Sequence, residues 1–415
     1  MTRPPGPGTP GRGRLGLSEN GRRLALAIYL PTAIVAIGDG LLVPTLPLFV
    51  ASFESSLALV GLVLAGEALG MLIGDVPAGW FAGRASPKTA MLVGCAIAMV
   101  AVLATAVARD VYVVLALRIA AGVGIALFNL ARHAFLTGAT SLGGRGRLIA
   151  LYGGVNRFGG FIGPAIGGAV AALLGLAAPL VLYAVVLLAA LVLVAIALPG
   201  GRPPAAAPER AASRQAMRAA VPTLLNAGFG QVLGQAVRAG RRVLIPLFGA
   251  AVLGLDALAV GLVVSAGALV DMLMFYPAGW LMDRHGRKAA IVPCFVLMGL
   301  AIALVPLTTG FWSLLGVTVL VGFGNGLGSG TMMTIASDLA PPAAAAQFLG
   351  WWRLIGDAGM VGGPVVVGLV AQVAALGPAA IAVGLVGVSA AAWFGLRVPE
   401  TLIPVSSSAK GTGAA

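Results

Sequence analysis

The sequence predicts an all-α membrane protein with twelve transmembrane helices in two pseudo-symmetric six-helix halves. Three observations carry this prediction: an apolar composition, twelve long apolar runs, and a motif that recurs half a chain later. Of the 415 residues, 59% are hydrophobic and 9% are charged, with a mean hydropathy of +1.02. Soluble domains carry about 25% charged residues, so a soluble chain of this length could not bury so much apolar surface.

Each of the twelve apolar runs is long enough to cross a bilayer, which takes roughly 20 residues. Residues 1–21 are rich in Pro, Gly and Arg and are predicted to be a disordered arm. A polar linker at 200–217 separates the halves, 22–199 and 218–397, and a polar tail covers 398–415. The predicted runs are 22–50, 57–83, 88–108, 111–138, 147–173, 177–199, 218–250, 256–283, 288–309, 311–339, 343–373 and 377–397.

An internal repeat relates the two halves. The sequence PAGWFAGRASPK at 77–88 recurs as PAGWLMDRHGRK at 277–288, a spacing of 200 residues. Gly61 recurs as Gly261, and Gly163-Pro164 recurs as Gly363-Pro364. Duplicated halves of this kind are typical of secondary transporters.

Basic residues predict the orientation. They cluster in the arm, the linker and the even-numbered connections, while the odd-numbered connections hold few. Cytoplasmic loops carry the excess of Arg and Lys, so both termini are predicted to be cytoplasmic in the inner (plasma) membrane. The same rule accounts for the net charge of +13 without nucleic acid as a partner. The clusters include Arg22, Arg84, Lys88, Arg145, Arg147, Arg202, Arg210, Arg284 and Lys288.

The repeated loop resembles the signature of the major facilitator superfamily, Gly-x-x-x-Asp-Arg-x-Gly-Arg-Lys. The second copy is complete, and in the family this loop stabilises one face of the alternating cycle. The first copy is degraded, with Gly83, Ser86 and Pro87 at signature positions, which puts that role in doubt for the N-terminal half. The complete copy consists of Gly279, Asp283, Arg284, Gly286, Arg287 and Lys288.

A pattern on the fifth span is similar to the antiporter motif of the drug–proton antiporter branch, and therefore suggests efflux. Its glycines give a flat face for close helix approach, so packing alone is the alternative reading. A weaker pattern, Arg118-x-x-x-Gly122, resembles the family's intramembrane arginine motif, with Ala121 where Gln is usual. The fifth-span residues are Gly159, Gly163, Pro164, Gly167 and Gly168.

Ionisable residues inside spans cost about 2.5–3.5 kcal/mol each on insertion scales and are functional candidates. We assign a first group to proton coupling or the substrate cavity: Asp39, Glu67, Arg118, Arg238 and Asp271. Asp39 lies between two glycines on the first span, and Pro44 and Pro47 are expected to break that helix. Asp39 and Arg238 occupy equivalent repeat positions and would oppose each other across the pseudo-twofold axis, although a structural ion pair is the alternative. Arg241 and Arg242 add positive charge, which favours anionic or zwitterionic cargo.

A second group is assigned to conformational gating. Arg353 and Asp357 are four residues apart, so they share a helix face and can pair locally. Arg157 has a similar depth on the fifth span, and Asp75 adjoins the signature loop. The signature residues Gly279 to Lys288 complete this group.

These features predict a secondary transporter that exports a small amphipathic organic compound or drug in exchange for protons. The alternative is a proton-coupled importer or facilitator of a small metabolite on the same fold. A receptor or scaffold would not need charges inside its spans, and no nucleophile–base or metal-ligand arrangement indicates an enzyme. We expect no cofactor and no metal. The expected partners are the substrate, protons and the lipid bilayer, with the protein a monomer.

Overall fold

The computed structural model describes residues 29–53, 55–82, 84–138, 145–198 and 211–402. Within these ranges the chain is helical, without strands. The N-terminal half contains α1 (Leu30–Ala51), α2 (Leu57–Ala82), α3 (Pro87–Val107), α4 (Val111–Gly138), α5 (Arg145–Leu174) and α6 (Ala178–Ala197). The C-terminal half contains α7 (Ala211–Ala251), α8 (Ala257–Leu273), α9 (Phe275–His285), α10 (Arg287–Ala303), α11 (Phe311–Leu327), α12 (Thr331–Leu339), α13 (Ala345–Ala374) and α14 (Leu376–Leu396).

The helices match all twelve predicted runs. Within the described ranges, ten spans are long and apolar enough to cross a membrane, and the bent pair α8–α9, with a 40° break, gives an eleventh. The arginine-bearing α7, 41 residues long, corresponds to the remaining predicted run. The eighth and tenth runs are each divided in two, at Met274 and at 328–330. The chain is therefore a multi-pass membrane protein with the predicted fold class.

The helix α7 begins at Ala211, within the predicted linker, and residues 211–221 contain neither Gly nor Pro. One local expectation was wrong, because the helix α1 continues through Pro44 and Pro47 to Ala51. Each proline removes one intrahelical hydrogen bond, but neighbouring helices tolerate such positions in membranes. The predicted arm and most of the polar tail lie outside the described residues.

The repeat is visible in the packing at the basic end of the bundle, which we define as the end bearing Arg84 and Gly286. Lys88 donates from Nζ to the carbonyl of Ala195 at 2.6 Å, and Lys288 donates to that of Gly395 at 2.8 Å. The two acceptors are themselves 200 residues apart. The degraded first copy of the loop has thus kept the contact of its lysine with the C-terminal turn of α6.

The two halves meet mainly through two symmetric helix pairs, α2 with α13 and α5 with α8. A Cβ atom built on Gly61 would lie 2.5 Å from the carbonyl oxygen of Pro364, and one on Gly261 would lie 2.4 Å from that of Pro164. Ordinary contacts need 3.4–4 Å, so only glycine permits this approach. Both contacts lie towards the end of the bundle opposite the basic end, and they close that end.

Helices at the basic end contact their own half. Among the described residues, α4 packs mainly on α2 and α3, and α12 packs on α7, α10 and α13. Neither makes a substantial contact across the halves. Among the described residues, the space between the halves is therefore closed at one end by the glycine contacts, and α4 and α12 do not close it at the basic end.

Candidate functional site: the central cavity and its ion pairs

Asp39 borders the space between the two halves, which we call the central cavity. It is exposed although Gly38 and Gly40 on either side are buried. A Cβ on Gly38 would lie 2.2 Å from Cδ2 of Tyr183, so the glycine lets the tyrosine ring cross α1. The hydroxyl of Tyr183, which is fully buried, donates a hydrogen bond to Asp39. The position of this carboxylate therefore depends on contacts between α1 and α6.

Glu67 and Arg118 form an ion pair between α2 and α4, close to Asp39. Arg118 is 5% exposed. A Cβ on Gly122 would lie 2.1 Å from the carbonyl oxygen of Glu67, so the Arg118-x-x-x-Gly122 pattern positions α4 directly on the backbone that carries its acid partner. The Nε and Nη1 atoms of Arg118 have no hydrogen-bond partner in the described part of the chain. The two predicted cavity residues are thus brought together.

The predicted opposition of Asp39 and Arg238 is not present. The Nε atom of Arg238 donates to Oδ1 of Asn325 at 2.9 Å, its Nη1 atom donates to Sδ of Met332 at 3.2 Å, and its guanidinium lies 5.4 Å from the Phe295 ring. Arg238 is turned into the C-terminal half. The α7 arginine within electrostatic range of Asp39 is Arg242. One turn of helix separates Arg238 from Arg242, so the slipped repeat register identified the correct face but the wrong turn.

Among the residues that the structure describes, two ion pairs connect the halves. Arg157 on α5 lies 2.8 Å from Asp271 on α8, and Arg353 on α13 lies 3.2 Å from Asp75 on α2. Asp75, predicted to take part in gating, and Asp271, predicted to belong to the cavity group, each lie in an ion pair between the halves, and their roles stay predictions. The local pair Arg353–Asp357 also exists, at 4.0 Å, but it is the longer of the two contacts of Arg353.

The Arg157–Asp271 ion pair is extended into the C-terminal half by Asn325. Its Nδ2 atom donates to Oδ2 of Asp271 at 2.9 Å, and its Oδ1 atom accepts from Arg238. A continuous chain of polar contacts therefore runs from Arg157 to Arg238. Sequence reasoning missed Asn325, although an asparagine within the apolar α11 was a usable signal.

The fifth-span motif packs on both halves. Cβ atoms on Gly159, Gly163 and Gly167 would lie within 2.6 Å of α1, whereas one on Gly168 would lie 2.4 Å from the carbonyl oxygen of Ala257 on α8. Ser265 from α8 also inserts into the hydrogen-bond ladder of α5 beside Pro164. Its hydroxyl accepts from the Ala165 N–H at 2.9 Å and donates to the Phe161 carbonyl at 2.7 Å. Such insertions bend helices, and here the inserted group comes from the other half.

The signature loop is organised around Gly286, whose φ of +100° suits glycine. A Cβ there would lie 2.6 Å from Oε2 of Glu400. Glu400 accepts from the N–H groups of Arg287 and Lys288, each at 2.9 Å, and so caps the N-terminus of α10. Partial burial acts to raise the pKa of Glu400, but its backbone N–H donors outweigh burial and hold that pKa below its usual value. Sequence reasoning missed this tail contact.

The charged residues of the loop differ in their exposure and in the contacts they make. Arg287 lies 3.0 Å from Asp338 at the end of α12, which also accepts from the Thr401 hydroxyl at 2.7 Å. Asp283 is 76% exposed and lies 3.8 Å from Arg287. Arg284 lies over the Trp280 ring at 5.4 Å, as Arg84 does over Trp80 at 4.0 Å. A Cβ on Gly279 would meet nothing within 4 Å.

Two helical halves, charged residues facing a central cavity and ion pairs between the halves define the class of a membrane transporter. In the described residues, no group of three or more His, Cys, Asp or Glu side chains could hold a metal ion. The family model of the Major Facilitator Superfamily matches residues 28–238 and 227–414. The chain therefore belongs to this superfamily, and it is a transporter and not an enzyme.

Solved structures share the fold. A bacterial homolog of the human lysosomal transporter Spinster, in an inward-facing and unoccupied conformation, matches with a TM-score of 0.76 and 17% identity over 92% of this chain and 98% of that chain. The human organic anion transporter MFSD10 matches with a TM-score of 0.67 and 15% identity over 91% and 99%. At these identities the likeness concerns the fold alone.

One curated relative matches locally. The mouse (Mus musculus) solute carrier family 2, facilitated glucose transporter member 8, is 34% identical over 83 residues. The match spans 20% of this chain and 17% of the length of that transporter.

Proposed function

We propose that this protein exports a small amphipathic organic compound in exchange for protons, with Asp39 carrying the proton. The observation that supports this is the position of the Asp39 carboxylate. It is exposed at mid-helix, yet it is surrounded by groups on other helices: Glu67 on α2, Arg118 on α4, Tyr183 on α6 and Arg242 on α7. Folding does not require an ionisable group inside a membrane span, so a group in such a place is a functional candidate.

Rocking of the halves would change the surroundings of Asp39. The residue belongs to the N-terminal half, and Arg242 belongs to the C-terminal half. A nearby guanidinium favours the ionised carboxylate, whereas a dry environment without it favours the protonated form. Asp39 could therefore take up a proton in one state and release it in the other, which couples protonation to alternating access.

Export is supported by the fifth-span motif. Its glycines, Pro164 and the inserted Ser265 hydroxyl form a close-packed contact with α1 in the same half and with α8 in the other half. Such a contact can change during rocking, as expected of the antiporter pattern that it resembles. The inter-half pairs Arg157–Asp271 and Arg353–Asp75 would act as gates that break and re-form in the cycle.

A proton-coupled importer or facilitator of a small metabolite is the second candidate. The local identity to a facilitated glucose transporter favours it. Flux direction separates the two candidates, since both use the same fold and the same cavity.

The test is accumulation driven by a pH gradient in proteoliposomes, screened over cationic, neutral and anionic compounds. We expect Asp39→Asn to bind substrate but to lose concentrative movement and retain exchange. Asp110→Asn is the matched control, because Asp110 is exposed and caps α4 through Tyr112 at 2.8 Å, a role that asparagine also fills. If Asp39→Asn concentrates substrate like the parent, Asp39 is structural, and Glu67 becomes the next residue to test.

A further inference from the structure

Three arginines on α7 differ from the other charged residues of the cavity. Arg241 and Arg242 are consecutive and lie three and four residues after Arg238, so each of them is a neighbour of Arg238 on the helix surface. In the described part of the chain, none of the three lies within ion-pair distance of a carboxylate. The arginines of the cavity and of the contacts between the halves that do have such partners are Arg118, Arg157 and Arg353, paired with Glu67, Asp271 and Asp75.

The three side chains differ in how far their hydrogen-bond donors have acceptors. Arg238 has Asn325 and Met332 as acceptors. The Nε atom of Arg241 is buried and has no hydrogen-bond partner among the described residues. Arg242 is exposed, although residues 243–249, which follow it, are all buried. Arg241 and Arg242 therefore carry donors without an acceptor in the described part of the chain, and both lie in the part of α7 nearer the closed end.

The neighbouring acids do not neutralise this cluster. Asp271 is within electrostatic range of Arg241, but its two oxygens already accept from Arg157 and Asn325. Asp39 is within electrostatic range of Arg242 without forming an ion pair with it. Burial of a guanidinium atom without an acceptor is unfavourable, and this applies to the Nε atom of Arg241. Arg242 is exposed and accessible to a ligand, so the two residues together can accept an anion.

We propose that Arg241 and Arg242 bind an acidic group of the substrate, a carboxylate, sulfonate or phosphate. The guanidinium fork matches the oxygens of these groups and forms strong charge-assisted hydrogen bonds with them. The inference rests on the proposed function in one respect, namely that the central cavity is where substrate binds. It names the chemical class of that substrate, and lipophilic cations are excluded from this end of the cavity.

The experiment measures binding to the full-length protein in lipid nanodiscs at a fixed neutral pH, without any gradient. The probes share one ring system and differ in charge. Naphthalene-2-carboxylate, naphthalene-2-sulfonate and 2-naphthyl phosphate are the acids, with naphthalene-2-carboxamide as the neutral probe and 2-naphthylmethylamine as the cation. Equilibrium dialysis against empty nanodiscs corrects for binding to lipid. We expect at least one acid to bind about tenfold more tightly than the amide, given the strength of hydrogen bonds to charged groups.

Variants locate the site. Arg241→Gln and Arg242→Gln should each weaken binding of that acid by about tenfold and leave binding of the amide unchanged. Arg241→Lys should weaken binding of the acid less than Arg241→Gln does. Arg218→Gln is the matched control, because it removes one exposed arginine from the same helix outside the cavity. The proposal is overturned if the acids bind no better than the amide, or if Arg218→Gln weakens acid binding as much as Arg241→Gln does. The comparison among probes on the unmodified protein needs no variant to fold.

The outcomes separate this inference from the proposed function. Preferential binding of the acid without accumulation under a pH gradient would retain the site and reject proton coupling. Accumulation of neutral or cationic probes under a gradient, with no preference for acids, would retain proton coupling and reject the site.

Discussion

The closed end of the bundle depends on Gly61, and Gly61→Ala is the most direct test of the alternating arrangement. A Cβ at this position would lie 2.5 Å from the Pro364 carbonyl oxygen and 2.8 Å from Cα of Gly368. Both neighbours are backbone atoms of α13 and cannot rotate away. Helices α2 and α13 must therefore separate by about 1 Å to reach an ordinary contact distance of 3.4 Å.

Such overpacking costs typically 1–3 kcal/mol. The strain exists only where α2 and α13 touch, so it destabilises the form that is open at the basic end and leaves the opposite form unaffected. At about 1.4 kcal/mol per factor of ten, the equilibrium between the two forms should shift by roughly 5- to 150-fold. Gly261→Ala should shift the same equilibrium through its contact with the Pro164 carbonyl, and the double variant should shift the equilibrium further than either single variant.

The assay is pulsed electron paramagnetic resonance in nanodiscs, with nitroxide labels on cysteines introduced at the exposed Ser52 and Thr309. These residues lie in connections of different halves at the closed end. Cys95 and Cys294, both buried and free, are replaced by alanine in the background. We expect a longer label-to-label distance to gain population in Gly61→Ala. In Gly362→Ala, the control on α13, a Cβ meets nothing within 4 Å. An unchanged distance distribution in Gly61→Ala would refute the reasoning.

Three further predictions concern the signature loop and α5. Arg287→Gln should lower the thermal stability of the purified protein more than Asp283→Asn, because Arg287 bonds Asp338 whereas Asp283 is largely exposed; an equal loss would contradict this. Glu400→Gln should be less stable than the parent near neutral pH. Since the folded pKa of Glu400 is lowered, its stabilisation is present above the unfolded pKa of about 4.3 and is lost as pH falls through the folded value. Melting curves at several pH values should therefore converge in acid, and a constant difference would count against the capping role. Ser265→Ala should let the backbone N–H of Ala165 bond directly to the carbonyl of Phe161 in α5. Transport should then be slower, measured as turnover per protein molecule in the membrane, while the amount of protein in the membrane stays the same. Unchanged turnover would show that the Ser265 hydroxyl has only a structural role in α5.

The spans, the two halves and their symmetry could all be predicted from the amino-acid sequence. Twelve apolar runs and a 200-residue repeat are long-range patterns, and a bilayer admits few structures that satisfy every backbone group. The repeat even anticipated particular contacts, since Gly61 and Gly261 make equivalent approaches to the carbonyl groups of Pro364 and Pro164. The charged positions were also visible, because a charge inside an apolar run needs no structure to be noticed.

Which charged side chains form pairs could not be predicted from the sequence, because it depends on how the helices pack. One residue of register turns a side chain by about 100° around a helix, and the partner lies on another helix whose rotation is set by packing. Arg353 was therefore expected to pair with Asp357 but lies closer to Asp75, and Arg242 replaced Arg238 as the neighbour of Asp39. Tyr183, Ser265 and Glu400 carry no motif, and they became part of the site because folding brings them to Asp39, Pro164 and Gly286.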